Sequence, residues 1–508
     1  MSDTATASQL RRRLSLPDVI AQSVTVIAPA MAGALVTYLA ATKAGGATPL
    51  AFVLAMLGAL AVGSVVSEFG KTMPSAGSLY TYTSVGLSKT AGFVVGWMYS
   101  LAFILLAAAV LAGFGFIMSL FLQSFTNSAT FVPWWIFFIL GLVFVAVMSM
   151  FDVKLSTRTQ LVLTVVSVVL MLIAAFWVIG KGSPADSVQA GKSIDLGAFW
   201  PGAAGVSWGG VIFGFAFGML SFTGFEAGAV LAEETENPKH NIPRAVVGSV
   251  LVAGVFYLII TYATSIGFGV REAKEAWPAS VGGLAFVPAA GATKTIANMV
   301  LFAAAISALL CGLGVHTAAS RFLFAMGREK VLPASLGQTH NKWKTPWNAI
   351  LISLGLYAVL AWGLLLITGR STEIGLGGGA AADGVPIFPT SIRGGAYVFT
   401  YWATLATPAV MLVYFLVGAA GVSKGRRDGN QKLMIKGVLA AFTGAVAVFG
   451  SVYYSFKEAA PGLGIIGIVK AIPWITIATL VVGLIIASYL KSKRQDAWAD
   501  MGTVFDDA

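Results

Sequence analysis

The sequence predicts an all-α polytopic membrane protein with twelve transmembrane helices, and three observations support this fold class. Of its 508 residues, 57% are hydrophobic and only 10% are charged, whereas a soluble protein carries about 25% charged residues. Charged residues divide the chain into long charge-free windows, and a helix needs about 20 apolar residues to cross a bilayer. Lipid cannot hydrogen-bond a free backbone, so runs of this length must be helical.

The charge-free windows account for the spans in chain order. Ten windows hold one helix each, and window 90–151 is long enough for two, with a turn between Gln123 and Pro133. The windows are 19–42, 44–67, 90–151, 159–180, 196–225, 245–270, 295–320, 345–369, 394–423, 437–456 and 471–490. The predicted number of spans is therefore twelve.

The distribution of positive charge orients these spans. If the amino terminus is cytoplasmic, the inside segments contain 22 of the 32 Lys and Arg residues, as the positive-inside rule requires. Both termini are then cytoplasmic, which predicts a multi-pass protein of the cytoplasmic (plasma) membrane. The first apolar run is a full span without a cleavage site, so it is not a signal peptide. The same distribution explains the net charge of +11 without a nucleic-acid partner.

Two spans contain helix-breaking residues near their middle. Pro29 and Gly33 interrupt the first span, and small and polar residues cluster at 218–224 in the sixth. Kinked helices with small residues for tight packing are the alternative interpretation. However, many transporters are built from two inverted five-helix repeats whose first helices are both discontinuous and bind the substrate, and spans one and six would be those two helices. The pair therefore predicts a binding site, where free N–H groups attract a carboxylate and free carbonyls attract an amine.

Glu226 follows the second break directly. It is the one acidic residue that lies within a predicted spanning region rather than in a loop. An ionised carboxylate within a bilayer costs at least a few kcal/mol, and such residues usually serve a function. Glu226 is therefore a candidate proton carrier. The alternative is a neutral carboxyl group that hydrogen-bonds the exposed backbone beside the break.

Three segments of the chain carry motifs of a known family. Residues 67–82 contain an acidic residue, a proline and a Ser-Ala-Gly-Ser-Leu-Tyr-Thr-Tyr turn. Residues 222–244 contain Phe-Thr-Gly-Phe-Glu and then Glu-Glu-Thr-Glu-Asn-Pro, and residues 318–333 end in Met-Gly-Arg-Glu-Lys-Val-Leu-Pro. In order and position these motifs resemble the amino acid–polyamine–organocation (APC) superfamily of permeases.

The resemblance implies a LeuT-type 5+5 inverted repeat plus two peripheral helices. It also implies secondary active transport of an amino acid or small amine by alternating access, with the substrate held by the backbone of both breaks. The implied substrate-binding residues are Ile27, Ala28, Ala30, Met31, Ala32, Gly33, Ser221, Phe222, Thr223, Gly224 and Phe225. Among them, Phe222 and Phe225 are expected to close over the substrate, with ordinary packing as the alternative.

The resemblance also divides the chain into segments. These are a cytoplasmic amino-terminal tail 1–17, a first repeat 18–180, an external loop 181–206, a second repeat 207–423, two peripheral spans 424–490 and a cytoplasmic carboxy-terminal tail 491–508.

The coupling ion has two candidates. Several proton-coupled members of the family carry a lysine in the fifth span, but Ser167 stands at the matching position and residues 159–180 contain no charge. Glu226 is then the expected proton-coupling residue. The alternative is a sodium-coupled symporter or an exchanger of the same substrate class. Sodium would take hydroxyl and carbonyl ligands from spans one and eight, with Ser307 as the residue of interest. The sequence favours protons.

Other classes of function lack their motifs. The chain contains no phosphate-binding Gly-x-x-x-x-Gly-Lys-[Ser/Thr] loop, and no nucleophile or metal cluster stands in a spanning window. These observations argue against a pump or an enzyme, and they imply neither a cofactor nor a metal. A transporter-like ligand sensor is the remaining alternative from another class. The expected partners are a small-molecule substrate, a proton or sodium ion and lipid, and the sequence sets no oligomeric state.

Overall fold

The structure is a computed structural model. It describes residues 14–75, 77–126, 132–150, 153–185, 187–279, 294–328, 330–340, 343, 345–367, 390–457, 470–495 and 498. The predicted tails 1–17 and 491–508 lie largely outside the described residues.

The described chain is mostly α-helical. Its α-helices are α1 (Leu16–Ile27), α2 (Pro29–Ala44), α3 (Thr48–Thr72), α4 (Ser78–Gly86), α5 (Lys89–Thr126), α6 (Trp134–Met150), α7 (Val153–Lys181), α8 (Trp208–Phe222), α9 (Pro238–Phe268), α10 (Ala273–Ala279), α11 (Lys294–Arg328), α12 (Trp347–Ile367), α13 (Thr390–Arg427), α14 (Gln431–Lys457) and α15 (Ile472–Lys493). Short 3₁₀ helices cover Gly45–Ala47, Leu196–Phe199, Ala227–Glu234 and Ala334–Gly337.

These helices accommodate the predicted twelve crossings. Within the described residues, ten helical runs are long and apolar enough to span a bilayer. One of them, Leu16–Thr72, has 57 residues and is long enough for two crossings, and the shorter apolar helix Trp134–Met150 supplies another. The all-α prediction is therefore confirmed, and the helices are roughly consistent with the predicted twelve crossings.

Burial divides the bundle into a centre and a periphery. The most apolar window of Trp208–Ala232 is wholly buried, and that of Lys89–Phe125 is mostly buried. By contrast, most of the corresponding window of α15 is exposed. A helix that is apolar on every side and buried belongs at the core, whereas exposed apolar faces of this length suit contact with lipid. The sixth span is therefore central, and the last span is peripheral.

The two interrupted spans lie side by side. The second half of span one, α2, packs along α8, and the first half, α1, contacts the 3₁₀ helix Ala227–Glu234. Each half of one span therefore meets the opposite half of the other, as two spans of opposite direction must. This packing brings the two breaks together inside the bundle.

Candidate functional site

The first break lies at Ala28, between α1 and α2. Ala28 adopts a left-handed conformation with φ 50° and ψ 62°, and Pro29 begins the second helix. A residue with a side chain rarely occupies this region, and such backbone strain concentrates at functional sites. Proline has no N–H, so it cannot donate to the preceding turn. Gly33, which the sequence placed in the break, lies within α2 instead.

The second break follows Phe222, where α8 ends. Thr223 leaves the helical region, and Gly224 has φ +110° before the 3₁₀ helix Ala227–Glu234 begins. A Cβ atom on Gly224 would lie 2.3 Å from Cγ1 of Val26. Two features therefore require glycine at this position. One is its backbone conformation, and the other is the close approach of α1.

One hydroxyl group joins the two breaks. The Tyr257 hydroxyl on α9 lies 3.0 Å from the carbonyl oxygen of Ile27 and 2.9 Å from that of Ser221. Both carbonyls belong to the last turn of a half-helix, where carbonyls lose their helical donors and the helix dipole is negative. A phenol carries a single proton for these two acceptors. The breaks therefore form a buried point that is rich in acceptors.

Aromatic rings surround this point. Phe222 packs edge-on against Tyr257 with ring centroids 5.3 Å apart, and Phe52 does so at 5.4 Å. All three side chains are buried. An ammonium group at such a point would meet carbonyl oxygens, and the faces of the aromatic rings, but not their edges, also attract a cation.

The Glu226 carboxyl group is held by three donors from three segments. Its Oε1 accepts hydrogen bonds from the hydroxyls of Tyr99 on α5 and Tyr414 on α13, the latter at 2.9 Å. Its Oε2 lies 3.3 Å from the backbone N of Gly224. Three donors on one carboxyl group suit its ionised form, and a proton on Oε1 would reverse one of the tyrosine contacts. The side chain is buried, with 1% of the residue exposed.

Helices α1, α7 and α11 meet at the last turn of α1, beside the first break. The hydroxyls of Thr25 and Thr164 are 3.2 Å apart, and the thiol of Cys311 donates to the carbonyl of Val26 at 3.2 Å. Ser167 is turned to its own helix, where it donates to the Thr164 carbonyl at 2.8 Å. Ser307 is buried one helical turn before Cys311.

A buried ion pair lies at the end of the 3₁₀ helix that follows the second break. Arg321 on α11 donates to Glu234 at 2.9 Å, and both side chains are largely buried. Leu14 pairs with the same segment as an isolated β-bridge to Thr235, with its N–H donating to the Glu234 carbonyl at 2.9 Å. The ion pair therefore joins α11 to the end of the 3₁₀ helix, and the Leu14 contact joins the segment before α1 to the same place.

The predicted substrate-binding residues are all buried, but they do not all face one point. Tyr257 brings together Ile27, Ser221 and Phe222, and Phe225 packs against Tyr414 at 5.5 Å. A side chain at Gly33 would instead contact residues of α9 and α7, at 3.4 to 3.6 Å. The remaining buried members are Ala28, Ala30, Met31, Ala32, Thr223 and Gly224.

Sequence reasoning missed three tyrosines at this site, namely Tyr99, Tyr257 and Tyr414. Each is separated from the break that it contacts by tens to hundreds of positions. A signal was present, because a buried tyrosine hydroxyl in a membrane span usually finds a hydrogen-bond partner. The partner itself could not be read from the sequence.

The family of the chain follows from a match over nearly its whole length. The amino acid permease family matches residues 14–483, a range that contains both breaks, Glu226 and all three tyrosines. The chain belongs to the amino acid permease family. The predicted membership of the APC superfamily is therefore confirmed, and the permease is a multi-pass membrane transporter rather than an enzyme.

The permease is similar in sequence to several bacterial transporters. It is 28% identical over 324 residues to the low-affinity putrescine importer PlaP of Escherichia coli (strain K12), which covers 62% of the permease and 67% of the importer. It is 26% identical over 421 residues to the branched-chain amino acid permease BcaP of Bacillus subtilis (strain 168), covering 74% and 84%. It is 27% identical over 323 residues to the gamma-aminobutyric acid permease of Escherichia coli (strain K12), covering 62% and 66%.

A solved structure shares the fold of the permease. The manganese transporter of Eremococcus coleocola, crystallised with an aromatic bis-isothiourea compound, superposes with a TM-score of 0.51 over 96% of the permease and 99% of that chain. At 11% sequence identity this likeness concerns the fold alone. Within the described part of the permease, no group of three or more His, Cys, Asp and Glu residues could hold a metal ion.

Proposed function

We propose that this protein moves an amino acid or a small amine across the cytoplasmic membrane by proton-coupled alternating access. Repeats 18–180 and 207–423 would rock against each other around the two breaks. Both termini would be cytoplasmic, because that orientation places 22 of the 32 Lys and Arg residues inside.

The observation that carries this proposal is the position of the Glu226 carboxyl group. It is buried beside the second break, and its contacts reach α5 and α13 through Tyr99 and Tyr414. Its third donor, the Gly224 N–H, belongs to the break itself. A movement of the broken span against α5 or α13 would therefore change the number of donors around the carboxyl group. Fewer donors favour the protonated form, so movement and proton uptake are linked.

The acceptor-rich point favours a substrate with an amino group. Carbonyl oxygens of Ile27 and Ser221 converge there, and an ammonium group has three donors to offer them. Putrescine, branched-chain amino acids and gamma-aminobutyric acid, which name the relatives above, all contain an amino group. No Lys or Arg stands within the windows of spans one and six, so a second acidic group on the substrate would find no cationic partner there.

The junction of α1, α7 and α11 supports protons over sodium. Sodium is a hard cation that prefers oxygen ligands. At this junction the group that meets the Val26 carbonyl is the thiol of Cys311, a soft and weak ligand for such an ion. The hydroxyls of Thr25 and Thr164 are the observation that keeps sodium as the second candidate, with Ser307 close by.

Transport into proteoliposomes tests the proposal. With radiolabelled putrescine, leucine and gamma-aminobutyric acid as probes, an inward proton gradient without sodium should drive accumulation of at least one of them. Glu226→Gln should retain binding and exchange, because the amide still accepts from the tyrosines, but it should lose accumulation and pH dependence. Glu68→Gln is the matched control, since that carboxyl group lies at the periphery in contact with Lys71 and Lys436.

Two results would contradict the proposal. The first is accumulation driven by a sodium gradient alone, with Glu226→Gln equal to the wild type. The second is equal loss of pH dependence in both variants, because Glu68 has no contact with the breaks.

A further inference from the structure

A groove of about 700 Å³ lies on the outer face of α13 and α14. Its walls are apolar, and several of its large side chains are exposed. Phe415 is 36% exposed, Val438 52% and Phe442 69%. The groove is also lined by Ala419, Val422 and Ala445 and ends at Arg426 and Arg427.

Close packing of the two helices creates the groove. A Cβ atom on Gly418 would lie 2.3 Å from the backbone of Ala441, and one on Gly444 would lie 2.5 Å from the backbone of Phe415. A Cβ on Gly425 would lie 2.6 Å from the backbone of Met434. Small residues let the two backbones approach this closely. The large side chains of the groove therefore lie on its outer edges and leave the space between the helices open. The groove therefore follows from the backbone packing of α13 against α14.

One end of the groove carries an uncommitted positive charge. Arg427 donates to the carbonyls of Val85 and Gly86, at 2.6 and 2.9 Å. Arg426 is exposed, and within the described part of the chain its guanidinium group has neither a hydrogen-bond nor an ion-pair partner. No acidic residue lines the groove. Its open end therefore attracts an anion, and guanidinium groups suit the geometry of a phosphate.

The length of the groove matches one lipid leaflet. From Phe415 to Arg426 the helix advances by about 16 Å at 1.5 Å per residue. Half of a hydrocarbon core of about 30 Å is about 15 Å. An acyl chain that lies in the groove, with the lipid headgroup at Arg426, would therefore end near the middle of the bilayer.

We propose that this groove binds one anionic phospholipid, with an acyl chain between α13 and α14 and its phosphate at Arg426. A second copy of the chain fits the groove less well. A two-fold contact buries the same patch on both partners, and it would bring Arg426 of each copy to one interface without an acidic residue in the groove to pair with it.

Native mass spectrometry of the purified full-length protein in detergent tests this site. Phosphatidylglycerol and phosphatidylcholine with identical acyl chains are titrated separately. The wild type should retain phosphatidylglycerol preferentially, and an excess of inorganic phosphate should not displace it. Arg426→Gln should weaken that retention about fivefold, the effect of one basic residue at an anionic lipid surface. Arg426→Lys should recover part of it.

Two further variants distinguish lipid binding in the groove from non-specific attraction of the lipid by surface charge. Lys432→Gln removes an exposed charge from the neighbouring helix outside the groove and should leave retention unchanged. Ala445→Trp fills the groove while Arg426 stays, and it should abolish retention. The proposal is overturned if Arg426→Gln behaves like Lys432→Gln, or if Ala445→Trp still retains phosphatidylglycerol. It is equally overturned if Ala445→Trp converts a dimer to a monomer without any change in bound lipid, because the groove would then be a subunit interface.

Discussion

At the scale of single residues, the Tyr257 hydroxyl determines whether the carbonyls of Ile27 and Ser221 have a donor. Tyr257→Phe removes that donor and leaves both acceptors buried. We expect the variant to lose about 1–3 kcal/mol of stability, the usual cost of an unsatisfied buried polar group. An amine that reaches these carbonyls would relieve the same penalty. Stabilisation by bound putrescine or leucine should therefore be larger in Tyr257→Phe than in the wild type.

Thermal unfolding with and without that ligand measures both effects. Tyr489→Phe is the control, because Tyr489 is exposed on α15 and is more than 250 positions from both breaks along the sequence. If the melting temperature of Tyr257→Phe falls but its ligand-induced shift equals that of the wild type, the two carbonyls do not contact the amine.

At the scale of one element, the unwound segment of span six depends on Gly224. An alanine there would have to adopt φ +110° and to place its Cβ 2.3 Å from Val26. We expect Gly224→Ala to reduce stability by about 2 kcal/mol or more and to abolish transport. Gly355→Ala on α12 is the matched control, because a Cβ there meets nothing within 4 Å. That change should be neutral or should stabilise by up to about 1 kcal/mol.

Circular dichroism melting and uptake assays compare the two glycine variants. Equal behaviour of Gly224→Ala and Gly355→Ala in both assays would show that the segment tolerates a side chain. It would then follow that α1 and the segment after α8 do not need to pack at backbone distance.

The elements of this protein could be predicted because each depends on local chemistry. Charge-free windows set the spans. Pro29 marks the first break because it lacks a donor, and the glycines of 218–224 mark the second because glycine permits positive φ, whereas Gly33 lies within α2. The helix α4 was not predicted, since it lies outside the charge-free spanning windows. The partners of the breaks could not be predicted either. Tyr99 and Tyr414 reach Glu226 across 127 and 188 positions, and such contacts depend on how whole helices pack.

At the scale of the whole molecule, the ion pair of Arg321 and Glu234 joins α11 to the end of the 3₁₀ helix Ala227–Glu234. Arg321→Gln leaves the Glu234 carboxylate buried without its partner, which costs about 3–5 kcal/mol in such pairs. The double variant Arg321→Gln with Glu234→Gln removes both charges and should regain a large part of that stability. A double-mutant cycle from thermal unfolding measures the coupling. Additive losses would mean that the two side chains do not stabilise each other.

The position of Cys311 has a consequence for following these movements. It is the single cysteine of the chain, it is buried, and its thiol rests on the Val26 carbonyl just before the first break. The wild-type protein therefore contains one native cysteine whose accessibility reports local opening of the helix packing. A maleimide can alkylate this buried sulfur only while the packing around it opens, so the alkylation rate would measure how often that opening occurs.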